Sequence, residues 1–329
     1  MTRRAAIAVA IALPLMLADC GGGGSGSVTV PLPTPSPTPS PTPPPTVNLV
    51  LLLGQSNAVG WALTARLQNT VYNPAGYGVA PPRVKIWYKD SRANPDLAAD
   101  DGQWQDYRAG ANSDVNASPR DQFGPELSLA QRLVATTGND VYIVKAAFGG
   151  TSLSPLAGTS PPGNWTDTNA RIALDYYFRR AVRDLRAARP GVTIRFQGIL
   201  WWQGESDAAV NIPATEYRNR LDNLRSYFDA AIRTEFGDAY RWVLVGLNFQ
   251  QNPGEPVINA ALCSTAAADP RIGYIPTLTY PRRVDLTAAQ SAPLPVEADK
   301  HTSYIGQLAV GEKAAEMMTS AAPPVETCP

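Results

Sequence analysis

The chain has 329 residues, with 28 Lys+Arg against 28 Asp+Glu, and its formal net charge of zero excludes a strongly basic nucleic-acid binder and an acidic solvating tail. Proline reaches 31 residues, well above the usual ~5%, so one segment must be compositionally biased. Three cysteines and one histidine leave almost no ligands for a Cys/His zinc site, and any chemistry that needs imidazole has only His301.

Arg3 and Arg4 precede an apolar run from Ala5 to Leu17, which has the length of a signal-peptide core and is too short to cross a bilayer. The run ends in Leu17-Ala18-Asp19-Cys20, followed by glycines. This resembles a bacterial lipoprotein signal, in which Cys20 becomes the lipidated first residue, although Asp19 stands where a small residue is usual. A cleaved secretory signal with an incidental Cys20 is the other reading. Both predict export: a periplasmic or cell-surface lipoprotein, or else a secreted protein. Residues 21–46 are Gly-rich and then Pro/Thr/Ser-rich, with too few apolar side chains to offset the entropy of ordering; they read as an extended spacer. Residues 47–321 form the expected domain and 322–329 a tail.

Within that domain, short apolar runs predict strands at Val47–Leu53, Val84–Tyr88, Val141–Ala147, Ile194–Trp202 and Arg241–Leu247. Several are apolar throughout, as strands covered on both faces are. Helical periodicity marks Pro125–Ala135, Asn169–Ala188, Thr215–Phe236 and Ser303–Met318. This alternation predicts a three-layer α/β/α sandwich with a mostly parallel sheet, whose ligands sit at the carboxyl ends of strands.

Polar groups at those ends are therefore the candidates. The first strand runs into Gly54-Gln55-Ser56-Asn57, where Ser56 is either a nucleophile or a helix cap. The third predicted strand ends in Phe148-Gly149-Gly150-Thr151-Ser152, whose glycines permit close backbone approach or make a plain turn. The fourth ends in Trp201-Trp202-Gln203-Gly204-Glu205-Ser206-Asp207, a polar cluster that a core does not need. His301 follows Asp299 just before the last helix. No G-x-S-x-G elbow, G-x-x-x-x-G-K-[ST] loop or G-x-G-x-x-G turn occupies a strand end in the domain.

Together these blocks, with Phe123-Gly124-Pro125-Glu126 ahead of a helix, resemble the SGNH-type esterases over residues 47–320. They are most similar to the sialate O-acetylesterase and acetylxylan esterase branch, in which Q-G-E replaces G-x-N-D. The resemblance implies a flavodoxin-like α/β/α fold and removal of O-acetyl groups from a carbohydrate, with no metal or organic cofactor. It implies Ser56 as nucleophile and His301 as its base, with an oxyanion hole made by the N–H groups of Ser56 and Gly150 and the side-chain amide of Gln203. Each role suits its chemistry: a hydroxyl needs a base, and a tetrahedral oxyanion needs donors already in place. The branch usually has Asp three residues before the His; here that position is Ala298, and Asp299 is two back. Asp299 is the preferred partner of His301, with Glu205 as the alternative.

Two rivals remain at this stage: a non-catalytic carbohydrate-binding surface lipoprotein, and a glycosidase built on Glu205 and a second carboxylate. The expected partner is an acetylated carbohydrate; contact with a membrane is expected only through a lipid on Cys20. In an oxidising compartment Cys263 and Cys328 are expected to form a disulfide, with two free thiols as the alternative. Asp96, Asp100, Asp101 and Asp106 read as a solvated acidic loop rather than a Ca²⁺ site.

Overall fold

The computed structural model describes residues 44–69, 81–90, 95–113, 122–157, 163–166, 168–248, 252–278 and 301–321. In chain order the elements are β1 (Thr46–Gly54), α1 (Ser56–Val59), β2 (Ala62–Leu63), a 3-10 turn (Thr64–Asn69), β3 (Val84–Tyr88), β4 (Gln103–Asp106), β5 (Gln122–Phe123), α2 (Glu126–Thr137) and β6 (Asp140–Ala147). Then come α3 (Thr168–Arg171), a π-helical stretch (Ile172–Phe178), α4 (Arg179–Ala188), β7 (Thr193–Trp202), α5 (Glu205–Ala209), α6 (Ala214–Phe236), β8 (Arg241–Val245), α7 (Glu255–Ala268), β9 (Ile272–Ile275) and α8 (Tyr304–Thr319).

Among the described residues the main sheet has the order β4-β3-β6-β1-β7-β8-β9. Every neighbouring pair is parallel except β3 with β4. All five expected strands are present. β1 lies at the centre, and its side chains alternate between two cores, as a period of two requires. Leu49, Leu51 and Leu53 pack with Tyr177, Leu185, Leu221, Phe228 and Leu262 from the π stretch, α4, α6 and α7. Val50 and Leu52 pack with Leu127, Leu133, Val310, Ala314 and Met317 from α2 and α8. These two cores make the three layers.

Other features depart from the expectations. The helix expected over Asn169–Ala188 is divided into α3, the π stretch and α4; the wider π turn changes which residues face the sheet and buries both Tyr177 and Phe178. β4 is an antiparallel edge strand whose residues are half-buried or exposed, so it carries no apolar run to announce it. β7 is irregular opposite Leu49/Val50, where Gln197 is the unpaired residue and donates from Nε2 to Asn48 Oδ1 at 2.6 Å.

Between β6 and α2 lies a fully buried ion pair. Lys145 Nζ is 2.9 Å from Glu126 Oε2, both side chains being wholly inaccessible. Each charge has further partners. Lys145 also donates to the carbonyls of Val59 and Ser113, and Glu126 Oε1 accepts from Gly124 N–H at 2.9 Å and Tyr107 OH at 3.1 Å. The Phe-Gly-Pro-Glu block thus anchors the carboxyl end of α1 from beneath. Removing one partner of such a pair costs about 3–5 kcal/mol, because the other charge stays buried. Lys145→Met is expected to lose that much unfolding free energy, read as a lowered urea midpoint at unchanged slope. A loss under about 1 kcal/mol would show that Glu126 does not depend on Lys145.

Candidate active site at the carboxyl edge

The ends of β6, β1 and β7 meet in register. Gly54 pairs with Ala147 on one side and Trp202 on the other. Its φ is 142°, and a Cβ there would lie 2.0 Å from the Trp202 carbonyl oxygen, so only glycine permits this approach. Gln55 N–H donates to Trp202 O and Phe148 N–H donates to Gly54 O, each at 2.9 Å. The loops leaving three strands are therefore tied together through backbone alone.

Ser56 opens α1. It is half-buried, whereas its neighbours from Leu51 to Gly60 are buried. The cap position belongs to Gln55, and no side-chain cap bond is made, so capping does not account for Ser56. As the first helical residue its N–H has no intrahelical acceptor, and it has none among the described residues. Gly150 N–H, in a left-handed turn at φ 70°, likewise has none among them.

His301 reaches the same edge. Asn57 Oδ1 accepts from Thr302 N–H at 2.9 Å, joining positions 245 apart in sequence. Ser56 and His301 each immediately precede one member of that bond. The imidazole stacks on Trp61, with ring centroids 4.4 Å apart and planes 10° from parallel. Trp61 was not a sequence candidate; its one signal is its place just past the short α1, whose length the sequence does not reveal.

Glu205 opens α5 and is 5% exposed. Its Oε1 accepts from Asn57 Nδ2 at 2.6 Å, and its Oε2 has no hydrogen-bond partner among the described residues. Burial pushes its pKa up from an ordinary 4.5 to about 7, against the opposing effect of Asn57. The carboxylate therefore meets Asn57, whose amide oxygen in turn joins the His301 segment. Asp299, the preferred partner of His301, lies outside the described residues.

Gln203 is wholly buried behind Ser56. Its Nε2 donates to Asp207 Oδ2 at 2.6 Å and lies 3.2 Å from both Gln55 Oε1 and Thr151 O. Tyr217 OH lies 2.8 Å from the Gln203 carbonyl and 3.2 Å from its Oε1. The amide implied as an oxyanion donor is thus engaged with protein acceptors in this arrangement. Asp207 also accepts from the N–H groups of Leu153 and Ser154 at 2.9 and 2.7 Å, holding the double-glycine loop against α5.

The remaining candidates lie elsewhere. Cys263 is buried in α7 and disulfide-bonded, while Cys20 and Cys328 lie outside the described residues. The four aspartates face separate partners. Asp96 accepts from Ala98 N–H, Asp100 from Arg183, Asp101 from Lys89, and Asp106 pairs with Lys85 at 2.7 Å. Among the described residues no three acidic, His or Cys side chains gather as a metal site.

The model of one protein family, described as carbohydrate esterase, sialic acid-specific acetylesterase, matches residues 46–320. No curated protein sequence matches the chain. Among solved structures, the chain is similar to a protein from Arabidopsis thaliana, with a TM-score of 0.51, 16% identity, and 84% of this chain and 99% of that one covered. It is also similar to NanS, with a TM-score of 0.55, 13% identity, and 84% and 97% covered. At these identities the likeness concerns the fold.

The raised pKa of Glu205 has a consequence for stability. Between pH 4.5 and 7 the folded state holds a proton on Glu205 that the unfolded state has released, so this group's contribution falls as pH rises. Glu205→Gln is therefore expected to gain roughly 3 kcal/mol relative to the parent between pH 4 and pH 8. Urea unfolding at the two pH values measures it; a pH-independent difference would place the Glu205 pKa near that of an ordinary glutamate.

Proposed function

Since the chain belongs to the sialic acid-specific acetylesterase family of carbohydrate esterases, we propose that it removes O-acetyl groups from a carbohydrate by acyl transfer through Ser56. It is a carboxylic ester hydrolase; the residues and the acyl-enzyme route are the proposed part. His301 takes the Ser56 hydroxyl proton as Oγ attacks the acetyl carbonyl carbon. The oxyanion is met by the N–H groups of Ser56 and Gly150, both without acceptors among the described residues. Collapse breaks the bond to the sugar oxygen, which leaves with the proton from His301. Water then attacks the acetyl-Ser56 carbonyl, His301 again taking the proton, and acetate departs.

The observation that supports this reading is the Asn57–Thr302 bond, which joins the residue after Ser56 to the residue after the only histidine. Gln203 serves by holding the loops of Gln55 and Thr151 rather than by donating to the oxyanion. Asp299 is the proposed orienting acid, because the carboxylate of Glu205 is given to Asn57. Ser56→Ala and His301→Ala are expected to abolish hydrolysis of p-nitrophenyl acetate and acetate release from acetylated glycans while the proteins stay folded. Asp299→Asn is expected to lose several orders of magnitude in kcat, and Glu205→Gln far less. A Ser56→Ala variant that keeps its activity would replace this mechanism with one built on carboxylates.

The reading of residues 1–46 is part of the same proposal. Cys20 carries the lipid, and the proline-rich spacer lets the esterase domain stand off a membrane surface to reach polymeric substrate. Metabolic labelling with palmitate is expected to mark the parent and not Cys20→Ala; equal labelling of both would remove Cys20 as the anchor.

A further inference from the structure

Asn57 meets both candidate segments, yet it is 1% exposed, and both ends of its amide are bonded to protein. The two ends of that amide are not interchangeable. Thr302 N–H can only donate, so it requires the oxygen of Asn57. Glu205 Oε1 accepts whenever it carries no proton itself, as in the ionised carboxylate or with the proton on Oε2, and it then requires the amide nitrogen. One carboxyl oxygen on α5 therefore decides which way the Asn57 amide faces. That choice decides whether the residue after His301 finds an acceptor.

We propose that Asn57 and Glu205 act together as positioning residues, the Glu205 carboxyl setting the Asn57 amide so that its oxygen holds the His301 segment over Ser56. This rests on the Ser56/His301 reading given above. The helix that follows His301 is held separately from this bond. α8 begins at Tyr304 and has its own anchors: Ser128 Oγ donates to Leu308 O at 2.7 Å, and Val310, Ala314 and Met317 are buried in the core. Gln307 Nε2 donates to the backbone oxygen of Asn57 at 3.2 Å, which holds the helix and not the loop before it. Loss of the Asn57 amide oxygen therefore leaves the histidine held by its stack on Trp61 without the backbone tie at Thr302, while the helix that follows stays docked.

The inference is tested by exchanging donor and acceptor. Asn57→Asp sets two carboxyl groups against each other in the space of one hydrogen bond. The double variant Asn57→Asp/Glu205→Gln restores the pairing with its polarity reversed: the introduced carboxylate accepts from Thr302 N–H with one oxygen and from the new amide with the other. With p-nitrophenyl acetate, Asn57→Asp is expected to lose about 100-fold in kcat, with KM within about threefold, because misplaced catalytic groups cost turnover more than binding. The double variant is expected to regain at least about tenfold over Asn57→Asp. A double variant no better than Asn57→Asp, or an Asn57→Asp enzyme with full kcat, overturns the proposal.

Amide hydrogen exchange at Thr302 supplies a readout that needs no turnover. Protection is expected in the parent and in the double variant, and is expected to be lost in Asn57→Leu, which offers the Thr302 N–H no acceptor. Unchanged protection in Asn57→Leu overturns the proposal whatever the activity. Persistence of parental activity in Ser56→Ala refutes the esterase mechanism instead, and Thr302 exchange still decides the role of Asn57.

Discussion

At Gly54 the backbone of β1 passes so close to the carbonyl of Trp202 that no side chain can stand between them. From that approach the rest of the carboxyl edge follows. Gln55 N–H reaches Trp202 O, and the Gln55 side-chain oxygen then lies 3.2–3.4 Å from Gln203 Nε2 and from the N–H groups of Gly204 and Ser206. The β7 loop is wrapped around one glutamine of the β1 loop. Asp207, carried round by that wrap, reaches across to the loop after β6. Three separate strand ends thereby become one floor, on which Ser56 is partly exposed.

Such a floor is expensive unless each buried polar group is matched, since an unmatched one costs about 1–3 kcal/mol. Asp207 and Glu205 illustrate two outcomes within one short helix. Burial raises the pKa of both. Asp207 has three donors from Gln203, Leu153 and Ser154, and it serves as a knot between loops. Glu205 has one side-chain donor, Asn57, and an oxygen with no partner among the described residues, so its charge is balanced near neutrality. The same edge thus contains one acid committed to architecture and another whose bond is directed at the catalytic segment.

Much of the sheet was legible because burial on both faces demands continuous apolar runs, and Val47–Leu53, Val141–Ala147 and Ile194–Trp202 could hardly be anything else. β4 was not legible, because an antiparallel edge strand with half its surface wet has no such pattern. α7 was missed as well; its Ala-rich run from Glu255 to Ala268 lacks a sharp apolar stripe, and tertiary packing completes it. The division of Asn169–Ala188 by a π turn left no mark on residue type.

The site divides along the same line. The sequence by itself singled out the candidate residues, one histidine, a serine and an acid-rich motif at strand ends, because residue type and position after a buried strand are local properties. Only the tertiary structure decided how those residues are used. Asn57 read as a neighbour of Ser56, and Trp61 was not read at all, since their partners Thr302, Glu205 and His301 lie 148 to 245 positions away or across an aromatic stack. Gln203 carries the residue type of an oxyanion donor, and only the closed loops bring its Nε2 within reach of Asp207 Oδ2, Gln55 Oε1 and Thr151 O. Hydrogen-bond direction in a buried network depends on which acceptors arrive there, and that is settled by the folding of distant segments onto one edge.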